Sequence, residues 1–114
     1  MEFLADAMEF VAALISNLPA GTWRHVSDAF SERLAAKFPL ATPKRALIDE
    51  LLREGFQPRY PTPMFPLGAV SGYQNSYELD RSEFACKITW GVYWNADADA
   101  RLTKIVGQRG GICL

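Results

Sequence analysis

At 114 residues the chain has room for one domain and not two, and 49% apolar with 22% charged residues is the balance of an ordinary globular fold. Seven Phe, four Tyr and three Trp supply enough core material to exclude intrinsic disorder. The net charge is −1 and the charges are scattered, so there is no cationic stripe for nucleic acid, and no apolar run is long enough to span a bilayer.

The spacing predicts a first helix over about residues 2–18. Phe3, Leu4, Ala7, Met8, Val11, Leu14, Ile15 and Leu18 recur on one side, and Glu2, Asp6 and Glu9 favour the positive end of the helix dipole. Pro19 and Gly21 stop it. The same acids interrupt what would otherwise read as a secretory signal, and no Lys or Arg lies on the polar face to hold it on a membrane. As written, the chain is expected to be cytoplasmic, or periplasmic if it is a processed form.

A second helix follows over about 24–37, with Val26, Phe30, Leu34 and Phe38 four apart and Pro39 as the stop. The third, about 43–54, has Thr42 as N-cap candidate and Pro43 at its first position. Leu47, Ile48, Leu51 and Leu52 are its expected buried face, while Asp49 and Glu50 read as solvated. Gly55 is the expected left-handed residue, with Phe56 folding back in Schellman fashion.

Residues 57–72 change character. Pro58, Pro61, Pro63 and Pro66, then Gly68 and Gly72, exclude helix and central strand and mark a long loop. Two Pro-x-x-Pro spacings would suit a polyproline ligand. Tyr60, Met64 and Phe65 make the loop a better candidate for a partner-binding surface, because aromatics and Met are enriched at interfaces and proline lowers the entropy lost on binding.

A sheet is expected over about 75–114. A first strand lies around Asn75–Leu79. Phe84, Cys86, Ile88, Trp90, Val92 and Trp94 then alternate with Ala85, Lys87, Thr89, Gly91 and Tyr93, the pattern of an antiparallel strand with one face on a core. Lys87 and Tyr93 are therefore the expected exposed pair, and Trp90 and Trp94 read as core. Residues 95–100 form a hairpin turn and 101–107 the returning strand. Gly107, Gly110 and Gly111 read as a flexible turn before a last short strand at 112–114. Three helices packed on one face of an antiparallel sheet of three to four strands make an α+β fold.

Chemistry-bearing motifs are few. Asn95-x-Asp97-x-Asp99 opens like a calcium loop, but Ala100 and Val106 stand where Gly and Glu are needed, so a plain turn is expected. His25 is the only histidine, with Ser27 and Ser31 at ordinary polar positions beside it, and a surface or capping role is expected for it. Cys86 and Cys113 lack zinc-ligand spacing. Cys86 on the apolar face would be an inert buried thiol, although the two can form one bridge in an oxidising compartment. No metal, cofactor or catalytic constellation is expected.

Residues 40–56, Leu40-Ala41-Thr42-Pro43 through the third helix to Gly55-Phe56, resemble the helix of the BamE-like (SmpA/OmlA) bacterial lipoproteins, where a Gly-Met or Gly-Thr turn precedes a short helix. Residues 84–107 resemble that family's closing hairpin, and the β-lactamase-inhibitory-protein fold is similar in outline. Ala41 stands where the family usually has Gly, and no lipobox Cys occurs near the start. The resemblance implies a small scaffold for protein–protein contact, sometimes an inhibitor. An envelope assembly role would further imply an oxidised Cys86–Cys113 pair and a longer precursor.

The expectation is thus a non-enzymatic module of inhibitor or immunity type that binds another protein through Tyr60, Met64, Phe65, Lys87 and Tyr93. An envelope assembly factor is the first alternative. A ligand-binding protein or enzyme with a helix–sheet pocket is the second.

Overall fold

The computed structural model describes residues 14–59 and 72–113. In chain order these form α1 (Trp23–Lys37), α2 (Lys44–Arg53), β1 (Gln57–Arg59), β2 (Asn75–Glu83), β3 (Cys86–Ala96) and β4 (Leu102–Cys113). The strands make one antiparallel sheet in the order β1-β2-β3-β4. The α+β class is as the sequence predicts, with two helices, not three, among the described residues. Most of the predicted first helix lies outside them. At its end Leu14–Asn17 form a turn in which Asn17 takes φ 58°.

Helix α1 starts where Thr22 Oγ1 accepts the His25 N–H at 3.2 Å, satisfying one of the donors that a helix N-terminus leaves open. Its predicted stripe is buried whole: Val26, Phe30, Leu34 and Phe38 enter the core with Ile88, Trp90, Val92 and Trp94 of β3. Phe30 meets Trp90 edge to face at 5.2 Å. Each such side chain contributes on the order of 2 kcal/mol by leaving water.

Ser27 and Ser31, one and two turns along α1, are more than polar decoration. Ser31 Oγ donates to the Gly107 C=O at 2.7 Å and accepts the Gly107 N–H at 2.8 Å. Ser27 Oγ accepts the Arg109 N–H at 2.9 Å and donates to its C=O at 3.4 Å. β4 is an edge strand, and these hydroxyls take over backbone groups that a further strand would otherwise pair. Replacing Ser31 by Ala leaves both Gly107 groups partnerless, with an expected loss of roughly 2 kcal/mol in chemical denaturation. A loss under about 0.5 kcal/mol would mean that water replaces the hydroxyl without penalty.

Helix α2 corrects two expectations. Pro43 is the N-cap and not the first helical residue, and the Thr42 hydroxyl turns back to the Pro39 C=O at 2.5 Å. The hairpin after β3 supplies the missing cap: Lys44 N–H donates to Ala100 C=O, Ala41 N–H to Leu102 C=O and Leu102 N–H to Thr42 C=O, each at 2.8 Å. The C-terminus is as predicted. Gly55 takes φ 95°, its N–H donates to Leu52 C=O at 3.1 Å, and Phe56 N–H reaches Leu51 C=O at 2.9 Å with the ring fully buried. The buried stripe, however, is Leu47, Glu50, Leu51 and Glu54, and Leu52 is exposed. The helix is rotated from the all-apolar face so that Glu54 can reach the Leu14 backbone.

Within the predicted proline loop, Gln57–Arg59 form the short edge strand β1. Proline is tolerated there because an edge residue can lack a ladder donor. The rest of the loop, residues 60–71, lies outside the described residues. The predicted glycine turn at 107–111 is instead the continuous second half of β4. Gly107 lies directly beneath Phe30 and Leu34, and a Cβ on Gly111 would stand 2.6 Å from the Lys87 carbonyl oxygen. Those glycines serve close approach, not chain reversal. Phe84 is not in the strand either. It occupies the turn between β2 and β3 with φ 53° and is fully exposed. Cys86 and Cys113 are register partners joined by a disulfide, so Cys86 is not a free thiol.

Candidate functional site

Both helices pack on the face of the sheet that carries Ile88, Trp90, Val92 and Trp94. Antiparallel register then sets what the opposite face presents. Gln57, Glu78, Gly91 and Gln108 lie in one row across β1 to β4, and Asp80, Thr89 and Gly110 lie in the next. Lys87 pairs with Ile112 in the row nearest the disulfide. Glycines at 91 and 110 lower the floor, and an open hollow of about 150 Å³ results, lined among others by Trp23, Glu78, Thr89, Tyr93, Gln108 and Ile112.

Its rim is apolar on one side. Trp23 opens α1 one turn before Ser27, is 47% exposed and lines the hollow beside Gly110, Gly111 and Ile112, which is itself 64% exposed. Phe84 adds a third exposed apolar side chain at the same end of the sheet. Large side chains gathered in this way around a concavity are the usual mark of an interaction surface.

The other side is charged. Arg59 Nε stands 3.7 Å from Glu78 Oε1, its Nη2 stands 3.8 Å from Asp80 Oδ2, and Lys87 Nζ reaches the same Asp80 oxygen at 3.9 Å. Loss of solvent pushes the Glu78 carboxyl above its ordinary range, with Arg59 opposing and Asp80 adding to the rise. Burial likewise raises Tyr93, and the Glu78 charge adds to it. The Gln108 Oε1 atom is buried with no hydrogen-bond partner among the described residues.

Two of the sequence-predicted residues meet here. Lys87 is exposed and lines the hollow, as expected. Tyr93 also lines it but is only 6% exposed, where an exposed ring was expected. Its ring lies back over Gly91, where an added Cβ would stand 2.8 Å from Cε1. Tyr73 packs against it with ring centroids 6.3 Å apart, and Lys104 Nζ stands 4.5 Å above the Tyr73 ring. Asn95 holds this cover in place, accepting the Gln74 N–H at 2.6 Å and donating to the Gly72 C=O at 2.9 Å. Tyr60, Met64 and Phe65 lie outside the described residues.

Trp23, Glu78 and Gln108 were not legible as site residues. Alternation along β2 could have flagged Glu78, but nothing local indicates that Trp23 reaches across the edge of β4. Asp97 behaves as a turn residue, its Oδ1 accepting the N–H groups of Asp99 and Arg101 at 2.9 and 3.0 Å. No cluster of three or more His, Cys, Asp or Glu side chains able to hold a metal occurs among the described residues. No described helix is long and apolar enough to cross a membrane.

A second unusual cluster lies between the helices. Glu54, with no exposed surface, accepts the Leu14 N–H at 2.9 Å on Oε1, while its Oε2 meets no donor among the described residues. Glu50, also buried, adjoins it and is approached by Lys37 at 3.5 Å and Arg53 at 3.6 Å. Arg33 Nη1 donates to the carbonyls of Leu14 at 3.1 Å and Ser16 at 2.5 Å. Burial first, and then the hydrogen bond to Glu50, push the Glu54 carboxyl up to about 8. Glu50 was expected on a solvated face. The i, i+4 spacing of Glu50 and Glu54 among Leu47 and Leu51 was the available signal. The arrangement straps Leu14–Ser16 to the two helices, and we assign it to structure.

Comparison with protein-family models, with curated proteins and with solved structures finds no match to this chain.

Proposed function

We propose that this chain is a non-enzymatic protein-binding module, of inhibitor or immunity type, whose contact surface is the helix-free face of the sheet. The observation that carries the reading is the glycine-floored hollow with Trp23 and Ile112 exposed on its rim and Lys87 beside it. A side chain of the partner seated in the hollow, ringed by apolar contacts, is the arrangement in which a few residues supply most of the binding energy. Tyr60, Met64 and Phe65 stay in the proposal on their composition.

Affinity capture of the tagged chain from its native lysate, repeated with variants, tests this. One stoichiometric protein is expected to co-purify with the parent chain and to be lost from Trp23→Ala/Ile112→Ala and from Lys87→Ala. Both variants should retain the parent's thermal unfolding to within a few degrees, because the altered side chains are exposed. Retention of the same protein by both variants would move the surface elsewhere.

The Cys86–Cys113 bridge supports a second reading, an envelope assembly factor working in an oxidising compartment. So does Ala41, at the position where the resembling lipoproteins carry Gly, because it adopts φ 75° in the left-handed region that favours glycine. Thiol titration of protein isolated from its source is expected to find no free thiol. Two free thiols would count against this reading and leave the first untouched. The third reading placed a pocket between helix and sheet. Phe30, Leu34 and Trp90 fill most of that layer, a hollow of about 50 Å³ remains there between Trp23 and Ile88, Arg109 and the disulfide, and the larger hollow described above opens on the opposite face.

A further inference from the structure

The chemistry of the hollow narrows what can enter it. Glu78 and Gln108 flank Gly91 in one row of the sheet, so their backbones stand roughly 10 Å apart, twice the strand spacing, and the only side chain lying over Gly91 between them among the described residues is the Tyr93 ring. Both side chains offer oxygen. Glu78 is held by Arg59 only through Oε1 at 3.7 Å, beyond hydrogen-bonding distance, and Oε2 has no partner among the described residues. Gln108 Oε1 has none either, and a half turn of its amide changes which atom faces the hollow. Tyr93 contributes an aromatic wall and Trp23 another. The nearest cation in the lining, Lys87, is drawn toward Asp80 at 3.9 Å. An acceptor-rich notch between aromatic rings, floored by backbone, suits a planar cationic donor with an apolar stem.

On the reading that this face binds a protein, we propose that the hollow is a socket for an arginine side chain of the partner, its stem over Gly110 and its guanidinium against the Tyr93 ring between Glu78 and Gln108. The desolvation that raises the Glu78 carboxyl is consistent with this, because a largely desolvated carboxylate whose nearest cation, Arg59, stands at 3.7 Å is stabilised by one that comes within hydrogen-bonding distance. A lysine would place a point charge where a flat fork fits between two acceptors.

The test uses the isotope-labelled full chain and three small probes: N-acetyl-arginine amide, its uncharged isostere N-acetyl-citrulline amide, and N-acetyl-norleucine amide. Saturable amide shifts are expected at Gly91, Gly110 and the Gln108 side chain with the arginine probe, and affinity about tenfold weaker with citrulline. Glu78→Gln should weaken the arginine probe by about the same factor. Gln108→Glu, which adds a second carboxylate across Gly91, should tighten it, and this gain keeps the proposal testable if Glu78→Gln does not fold. Equal binding of arginine and citrulline, or preference for norleucine, would overturn the cationic socket, as would shifts confined to other parts of the chain. Failure of the probes while protein capture still depends on Trp23, Ile112 and Lys87 would sink the arginine assignment alone. Probe binding without that dependence would instead sink the docking face.

Discussion

Thermal stability should fall as the pH is raised from about 5 to about 9, opposite to the behaviour of a protein held by ordinary carboxylate ion pairs. The sign follows from Glu54. Burial pushes its carboxyl up to about 8 in the folded chain from an ordinary 4.5, so between those limits the native state binds more protons than the unfolded state. Stability from this group is complete below about 4.5 and is lost progressively as pH rises through about 8. Below 8 a proton on Glu54 gives Glu50 a donor, and Oε1 still accepts the Leu14 N–H. Above it, two adjoining buried carboxylates share Lys37 at 3.5 Å and Arg53 at 3.6 Å, both about half exposed and weak compensation.

The expected loss is on the order of 3 kcal/mol, or about 10 °C in Tm for a domain of this size. Glu54→Gln retains an acceptor for Leu14 and a donor for Glu50 without a titrating proton. It should flatten most of the slope and exceed the parent in stability at pH 9. A smaller slope of the same sign should survive, because Glu78 is also raised by burial. If the Gln variant kept the parent's full slope, Glu54 would not be the titrating group.

Gly107→Ala should be among the most damaging single-methyl additions in the chain, costing roughly 3 kcal/mol. An unobstructed Gly to Ala change tends to stabilise by roughly 0.5 kcal/mol through the unfolded state, so the two accounts differ in sign. At Gly107 the new Cβ would stand 2.5 Å from Phe30 Cδ2 and 2.6 Å from Leu34 Cδ1, both on fully buried side chains. Helix α1 cannot simply rise, because Ser31 ties it to the backbone of Gly107 itself at 2.7 and 2.8 Å. Removing part of the obstruction should help, so that Leu34→Ala combined with Gly107→Ala costs less than the sum of the single changes by about 1 kcal/mol in chemical denaturation. A strictly additive pair, or a neutral Gly107→Ala, would refute the close-packing account.

What the chain specifies locally was readable from it. The four-residue stripe of α1 and the Gly55–Phe56 termination of α2 involve contacts within a turn or two, and the alternation of β3 repeats with the pleat. Those periods depend on backbone geometry alone. The errors share one physical cause. Gly107 and Gly111 look like turn residues because glycine's conformational freedom is local, whereas here the missing Cβ admits Phe30 and Leu34 at one position and the Lys87 carbonyl at the other. Tyr93 falls on the open face by alternation, yet Gly91 and Tyr73 bury it. Glu50 looks solvated until the helix face that carries it turns inward, where Glu54 meets a backbone N–H forty residues earlier in the chain. The hollow itself needs three strands in register to bring Glu78, Gly91 and Gln108 into one row, and needs the packing of α1 to bring Trp23 to their edge. Periodicity along one element determined which faces could be buried. Only the tertiary structure decided which were, because burial, ionisation and close approach belong to pairs of elements and not to either alone.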